Sequence, residues 1–181
     1  MKLGFTHEST CNESKEWYTP RPIFDALGME FDIDPCSLGK DIVSWIPARK
    51  HLTMFDDGLS SGWSGNAFVN PPYGADTPKW MEKLKDYGNG IALVFNRTDT
   101  QWFHSYIAFA DAICFIRGRV SFIRANEAAL YAQNLIQPKG GSGAGSMLAA
   151  YGEHNARALE RCNLGLVVKP VILYNRVNQL F

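Results

Sequence analysis

The amino-acid sequence predicts a three-layer α/β fold, and three observations carry that expectation. Short apolar runs suited to buried strands alternate along the chain with stretches of helical periodicity. Two of these runs stop abruptly on polar, proline-containing corners, Asp34-Pro35-Cys36 and Asn70-Pro71-Pro72-Tyr73. At 181 residues, 46% hydrophobic and 20% charged, the chain fits one domain with a continuous core.

Residues 1–16 are polar and unpatterned and read as a flexible tail, which leaves 17–181 as a single domain. After Trp17-Tyr18, Thr19 suits a helix cap and Pro20 the first helical position. Pro22 still falls in the first turn, where amide hydrogens have no partner. Ile23, Phe24 and Leu27 form one apolar stripe, and Gly28 closes the helix. Phe31-Asp32-Ile33 is a short strand stopped by Asp34-Pro35, whereas 36–63 is loop-rich and shows no assignable element.

Ala67-Phe68-Val69 is the next strand core, ended by Asn70-Pro71-Pro72-Tyr73-Gly74. Thr77-Pro78 opens a helix with Trp80, Met81, Leu84 and Tyr87 at helical spacing and Gly88 beyond it. The continuous apolar run 91–95 has the character of a buried strand. Asp99 or Thr100 caps a further helix carrying Trp102, Phe103, Tyr106 and Ile107. Strands follow at 112–116 and, after a turn at Gly118, at 120–123. A short helix over 127–135, a flexible glycine-rich link over 138–145, strands at 147–151 and 166–168, and a polar helix over 154–162 complete the order.

Eighteen Lys plus Arg balance eighteen Asp plus Glu, for a net charge of zero and a pI near 6.9. That balance argues against a protein that coats nucleic acid by bulk charge and leaves room for a local basic path. No run approaches the roughly 18–20 apolar residues needed to cross a bilayer, so no membrane partner is expected. Cys11, Cys36, Cys114 and Cys162 are far apart and form no CxxC pair, which fits a cytoplasmic, reducing setting. His7, His51, His104 and His154 lack metal-ligand spacing, and no metal is expected.

In an α/β sheet ligands gather at the carboxyl ends of the strands, so the two proline corners mark the candidate site. Each proline fixes its own backbone and restricts the residue before it. The corner Asn70-Pro71-Pro72-Tyr73 thus presents the Asn70 amide oxygen and the Pro71 carbonyl as a rigid pair of acceptors. Two acceptors suit an exocyclic amino group with two hydrogens, and the Tyr73 ring suits stacking on a planar base. A plain strand end, with Asn70 capping a turn and Tyr73 packing at the edge, would use the same residues structurally.

Several blocks in order resemble the phage and prophage family of DNA N-6-adenine methyltransferases, in the S-adenosylmethionine-dependent amino-methyltransferase superfamily. They are Glu16-Trp17-Tyr18-Thr19-Pro20, Phe31-Asp32-Ile33-Asp34-Pro35-Cys36, Asp56-Asp57-Gly58-Leu59 with Trp63-Ser64-Gly65, and Asn70-Pro71-Pro72-Tyr73-Gly74. Arg97-Thr98-Asp99-Thr100-Gln101-Trp102-Phe103 and Arg117-Gly118-Arg119-Val120-Ser121-Phe122 complete the resemblance. It implies a three-layer Rossmann-like S-adenosylmethionine-dependent methyltransferase fold and methyl transfer to N6 of adenine in double-stranded DNA.

The resemblance implies a catalytic block of Asn70, Pro71, Pro72 and Tyr73, receiving a flipped adenine. Tyr18, Thr19, Pro20, Asp34, Pro35, Cys36 and Asp57 are the implied cofactor residues, and Arg97, Arg117 and Arg119 are candidates for phosphate contacts. The glycine-rich loop that many relatives carry after Asp34-Pro35 is replaced here by Cys36-Ser37-Leu38-Gly39. The same corner also occurs in enzymes that methylate RNA adenine or protein glutamine, and a non-catalytic nucleic-acid-binding relative is a further alternative. Protection of phage DNA from host restriction is a role implied by the family alone.

Overall fold

The computed structural model describes residues 17–172, so the expected tail over 1–16 lies outside the described residues. Nine strands occur among them: β1 (Trp17–Tyr18), β2 (Phe31–Asp34), β3 (Ala48–His51), β4 (Ala67–Val69), β5 (Gly90–Phe95), β6 (Ala112–Ile116), β7 (Ile123–Arg124), β8 (Ser146–Tyr151) and β9 (Gly165–Val168). Five α-helices lie between them: α1 (Arg21–Leu27), α2 (Thr77–Tyr87), α3 (Gln101–Ser105), α4 (Ala128–Ala132) and α5 (Glu153–Arg161).

Seven strands form one sheet in the order β3-β2-β4-β5-β8-β6-β9. The first four neighbours are parallel, and β8 runs antiparallel between β5 and β6. β5 and β6 therefore point the same way, and their carboxyl ends share an edge with those of β2 and β4. β1 and β7 form a separate antiparallel ribbon pairing Trp17 with Arg124 and Tyr18 with Ile123.

The period of two along the strands explains the layers. Ile91 and Leu93 of β5 join Phe68, Leu148, Phe24 and Leu159 in one core, beneath α1 and α5. Ala92 and Val94 point the other way, into a second core with Ala67, Val69, Met81, Leu84 and Met147 beneath α2. Phe68 stacks edge-on against Phe24 at 4.7 Å and lies 5.1 Å from Phe31, so α1 is keyed to β2 and β4 by aromatic contact. The α/β expectation holds, with helices on both faces of a mixed sheet.

Some local expectations are corrected. Thr19 does not cap α1: Pro20 takes the cap position with an extended backbone (φ −74°, ψ 153°), which leaves Thr19 too far back. The first helical amide, Arg21 N, donates instead to Tyr131 Oη at 3.0 Å. Thr19 is buried, and its hydroxyl has no hydrogen-bond partner among the described residues. Within 120–123 only Ile123 is strand, because pairing there is with β1 alone. The stretch 36–63 contains β3, whose Arg49 and Lys50 are exposed at the edge of the sheet. The expected link over 138–145 is tied to its surroundings, with Ser142 N donating to Val120 O at 2.9 Å and Asn96 N to Gly145 O at 2.9 Å. The helix at 77–87 and the strand at 112–116 fall where the periodicity predicts.

Candidate active site

The corner after β4 divides two clefts at the carboxyl edge of the sheet. Asn70, Pro71 and Pro72 line the first, together with Trp17, Tyr18, Pro35, Cys36, Asp57 and Trp80. Tyr73 lines the second, with Phe95, Arg97, Asp99, Thr100 and Trp102. One four-residue corner thus faces both ways.

The β1–β7 ribbon lies over this corner and orients the Asn70 amide. Asn70 Nδ2 donates to the Trp17 carbonyl at 2.6 Å, and Tyr73 Oη donates to Asn70 Oδ1 at 3.3 Å. A carbonyl only accepts, so the nitrogen must face Trp17, and the oxygen takes the other side. The oxygen keeps acceptor capacity beyond the long bond from Tyr73. Thr77, at the start of α2, fixes the far side of the corner: its hydroxyl donates to Pro72 O at 3.2 Å and accepts from Gly74 N at 3.2 Å.

The Tyr73 ring is stacked on Phe95 at 4.0 Å, with 15° between planes, and meets Phe122 edge-on at 6.0 Å. Phe95 occupies one face of the tyrosine, so a planar ligand can reach only the other. Burial pushes the Tyr73 phenol well above its ordinary value of 10.0, which keeps it a neutral donor.

Asp34 lies beneath the first cleft. Its carboxylate accepts from Cys36 N at 3.0 Å and is buried, with 3% of the residue exposed. Burial pushes its pKa up to about 7, against the opposing pull of the Cys36 amide. Cys36 is pushed up as well, by burial and then by Asp34. The neighbouring His51 has Nε2 3.1 Å from the Ala48 carbonyl, so that nitrogen carries the proton. Its Nδ1 then accepts from the Ser37 hydroxyl at 2.8 Å, and Ser37 accepts in turn from Gly39 N at 3.0 Å. Burial lowers the His51 pKa, so Asp34 at 3.8 Å faces a neutral ring.

Asp57 stands on the opposite wall, exposed, in the left-handed region at φ 46°. Its carboxylate accepts from the Ser60 hydroxyl at 2.7 Å and from Leu59 N at 3.2 Å, which holds its pKa below the usual carboxylate value. Gly58 presses against Pro35, and Trp63 Nε1 donates to Gly58 O at 2.8 Å. The Asp-Gly-Leu and Trp segments thus close the cleft against the Asp-Pro-Cys segment.

Of the sequence-predicted cofactor residues, Tyr18, Pro35, Cys36 and Asp57 line the first cleft, while Thr19, Pro20 and Asp34 do not. Arg97 lines the second cleft beside Tyr73. Arg117 and Arg119 follow β6, whose end shares the edge of β5, and Arg119 packs under Gly141. Sequence reasoning missed Met54 and Leu52, which add apolar surface to the first cleft beside Leu59 of the Asp-Gly-Leu block. They sit in the stretch without assignable elements, so no periodicity marked them.

Apolar walls for a purine, the exposed carboxylate of Asp57 and a cleft shared with Asn70 and Pro71 fit S-adenosylmethionine. No helix among the described residues is long and apolar enough to cross a membrane. The chain has no match among curated proteins and none among solved structures. Residues 7–140 match the family model described as DNA N-6-adenine-methyltransferase (Dam), which is most of the 181 residues. With this mixed α/β sheet and an Asn-Pro-Pro-Tyr corner at its carboxyl edge, the chain belongs to the DNA N-6-adenine-methyltransferase (Dam) family, whose members are S-adenosylmethionine-dependent methyltransferases.

Proposed function

We propose that the enzyme methylates N6 of adenine in double-stranded DNA with the Asn70–Tyr73 corner as its catalytic block. The observation that supports this most is the orientation of Asn70, whose nitrogen is spent on the Trp17 carbonyl and whose oxygen keeps acceptor capacity beyond the long bond from Tyr73, with Pro71 lining the same cleft. When bound, S-adenosylmethionine supplies an electrophilic methyl group on a positively charged sulfur. Pro35, Cys36, Tyr18 and Asp57 would hold it in the first cleft, with Asp34 beneath.

The adenine amino nitrogen is a weak nucleophile because its lone pair is delocalised into the ring. Asn70 Oδ1 and the Pro71 carbonyl each accept one amino hydrogen, which favours a pyramidal, electron-richer nitrogen and points its lone pair into the first cleft. The same two oxygens stabilise the positive charge that develops on that nitrogen, and one amino proton then leaves to solvent. No prior general base is required.

A stacked adenine cannot enter the corner, so the base must flip out of the duplex. Tyr73 takes the flipped ring on the face opposite Phe95. Arg97 at the second cleft, with Arg117 and Arg119 along the same edge, contacts phosphates and positions the duplex. A cytoplasmic location, where such DNA is found, accompanies this reading.

The test is transfer of labelled methyl to duplex DNA, RNA and protein, followed by nuclease digestion. Label in N6-methyladenine from duplex DNA is the expected result. Label confined to RNA or protein would overturn the substrate assignment.

A further inference from the structure

One side chain ties the Asp57 wall of the first cleft to helix α2. Lys83 Nζ donates to the carbonyls of Gly58 at 3.1 Å, Leu59 at 2.7 Å and Ser61 at 2.6 Å. An ammonium has three donor hydrogens, and all are satisfied by successive parts of this turn. The same ammonium lies 4.7 Å from the centre of the Trp63 ring, whose indole nitrogen donates to Gly58 O. Trp63 in turn stacks on Trp80 of α2 at 6.3 Å. Lys83 itself is not part of the cleft lining.

The other end of α2 holds the catalytic corner through Thr77, which bonds Pro72 O and Gly74 N. Lys83 follows Thr77 by six positions along the helix, a rigid span of roughly 9 Å. One stiff element therefore sets both the acceptor corner and the wall that carries Asp57.

We propose that Lys83 is a positioning residue that fixes the Asp57–Ser61 turn against Pro35 and so sets the affinity for S-adenosylmethionine. A lysine on the polar face of a helix ordinarily spends its charge on water. Here it serves as an internal cation for a loop whose carbonyls have converged on it. The inference rests on the first cleft being the cofactor site.

Titration of the full chain with S-adenosylmethionine by calorimetry, together with methyl-transfer kinetics, tests both points. Lys83→Met keeps the aliphatic stem and removes every donor, and it weakens cofactor binding by about 10- to 100-fold. Its kcat at saturating cofactor stays within about threefold of wild type, a split that a general loss of structure does not give. Lys83→Arg, which keeps charge and donors, recovers part of the affinity. Unchanged affinity in folded Lys83→Met, or a fall in kcat alone, overturns the proposal. Should Lys83→Met fail to fold, Trp63→Phe removes the indole donor to Gly58 and trims the ring that faces Lys83 and Trp80, and it must weaken binding in the same direction; an unchanged affinity there overturns it equally. Met54→Asp reports on the cleft itself. If it leaves affinity unchanged, the location of the cofactor falls and the role of Lys83 with it; if it weakens binding while Lys83→Met does not, only the role of Lys83 falls.

Discussion

Gly58 stands so close to Pro35 that a β-carbon on the glycine would lie 2.1 Å from the Pro35 carbonyl oxygen. It would also stand 2.8 Å from the Trp80 ring. The two walls of the first cleft meet at this point, and only a residue without a side chain lets them touch.

Gly58→Ala is therefore expected to force the Asp57 turn away from Pro35. Backbone rather than a flexible side chain is the obstacle, so relief requires a shift of the turn. The expected cost is about 1–3 kcal/mol in unfolding free energy, with weaker cofactor binding. Urea unfolding and calorimetric titration check both, and an unchanged affinity would separate the contact from the cofactor site.

Asn70→Ala removes the acceptor oxygen and the bond to the Trp17 carbonyl together. The methyl-transfer rate constant should fall by about 100-fold or more. Cofactor affinity should stay within about threefold of wild type if Asn70 acts on the acceptor alone. Single-turnover transfer and cofactor titration measure the two separately.

Tyr73 separates its hydroxyl from its ring in a pair of variants. The hydroxyl makes one long bond of 3.3 Å, so Tyr73→Phe should retain activity within about threefold. Tyr73→Ala removes the platform stacked on Phe95 and should weaken productive DNA binding by at least about tenfold. Steady-state kinetics with duplex DNA as the varied substrate distinguishes the two.

Asp34 predicts a pH effect whose sign follows from its raised pKa. The folded chain holds a proton up to about pH 7 that the unfolded chain releases near 3.8. Its contribution to stability is complete below 3.8 and is lost as pH rises through 7. His51 acts oppositely: its pKa is lowered from 6.5, so its contribution is present above 6.5 and is lost as pH falls through its folded value. Asp34→Asn keeps an acceptor for Cys36 N and removes the buried charge. It should stabilise the cofactor-free protein at pH 8 by on the order of 4 kcal/mol and leave it nearly unchanged at pH 3, below the unfolded value. Thermal unfolding at the two pH values decides the matter, and an equal gain at both would exclude the carboxylate as the cause.

The elements that could be read from the residues are those whose signal is local. Trp80, Met81 and Leu84 recur on one face of α2, and β5 is an unbroken apolar run because both its faces are covered. The Asn70 corner was legible because its chemistry sits in four consecutive residues. β3 was not, since an edge strand with Arg49 and Lys50 exposed carries neither alternation nor an apolar run. The β1–β7 pairing joins two residues from each of two distant segments and has no local signature. Thr19 misled because a good capping residue lay before a proline, and Tyr131, 110 residues away from Arg21, took the amide instead. Lys83 sits on the polar face of α2, where nothing in the pattern distinguishes a carbonyl ligand from a solvated charge.

The antiparallel β8 has a consequence for synthesis. It is buried throughout and fills the gap between β5 and β6, yet it is made only after residue 145. A nascent chain ending before it exposes two unpaired apolar strand edges, which are prone to aggregation. The segment 7–140 that carries the family match stops short of this strand and should not fold when expressed alone. A strand made well after β5 and β6 is what allows those two to join into one sheet.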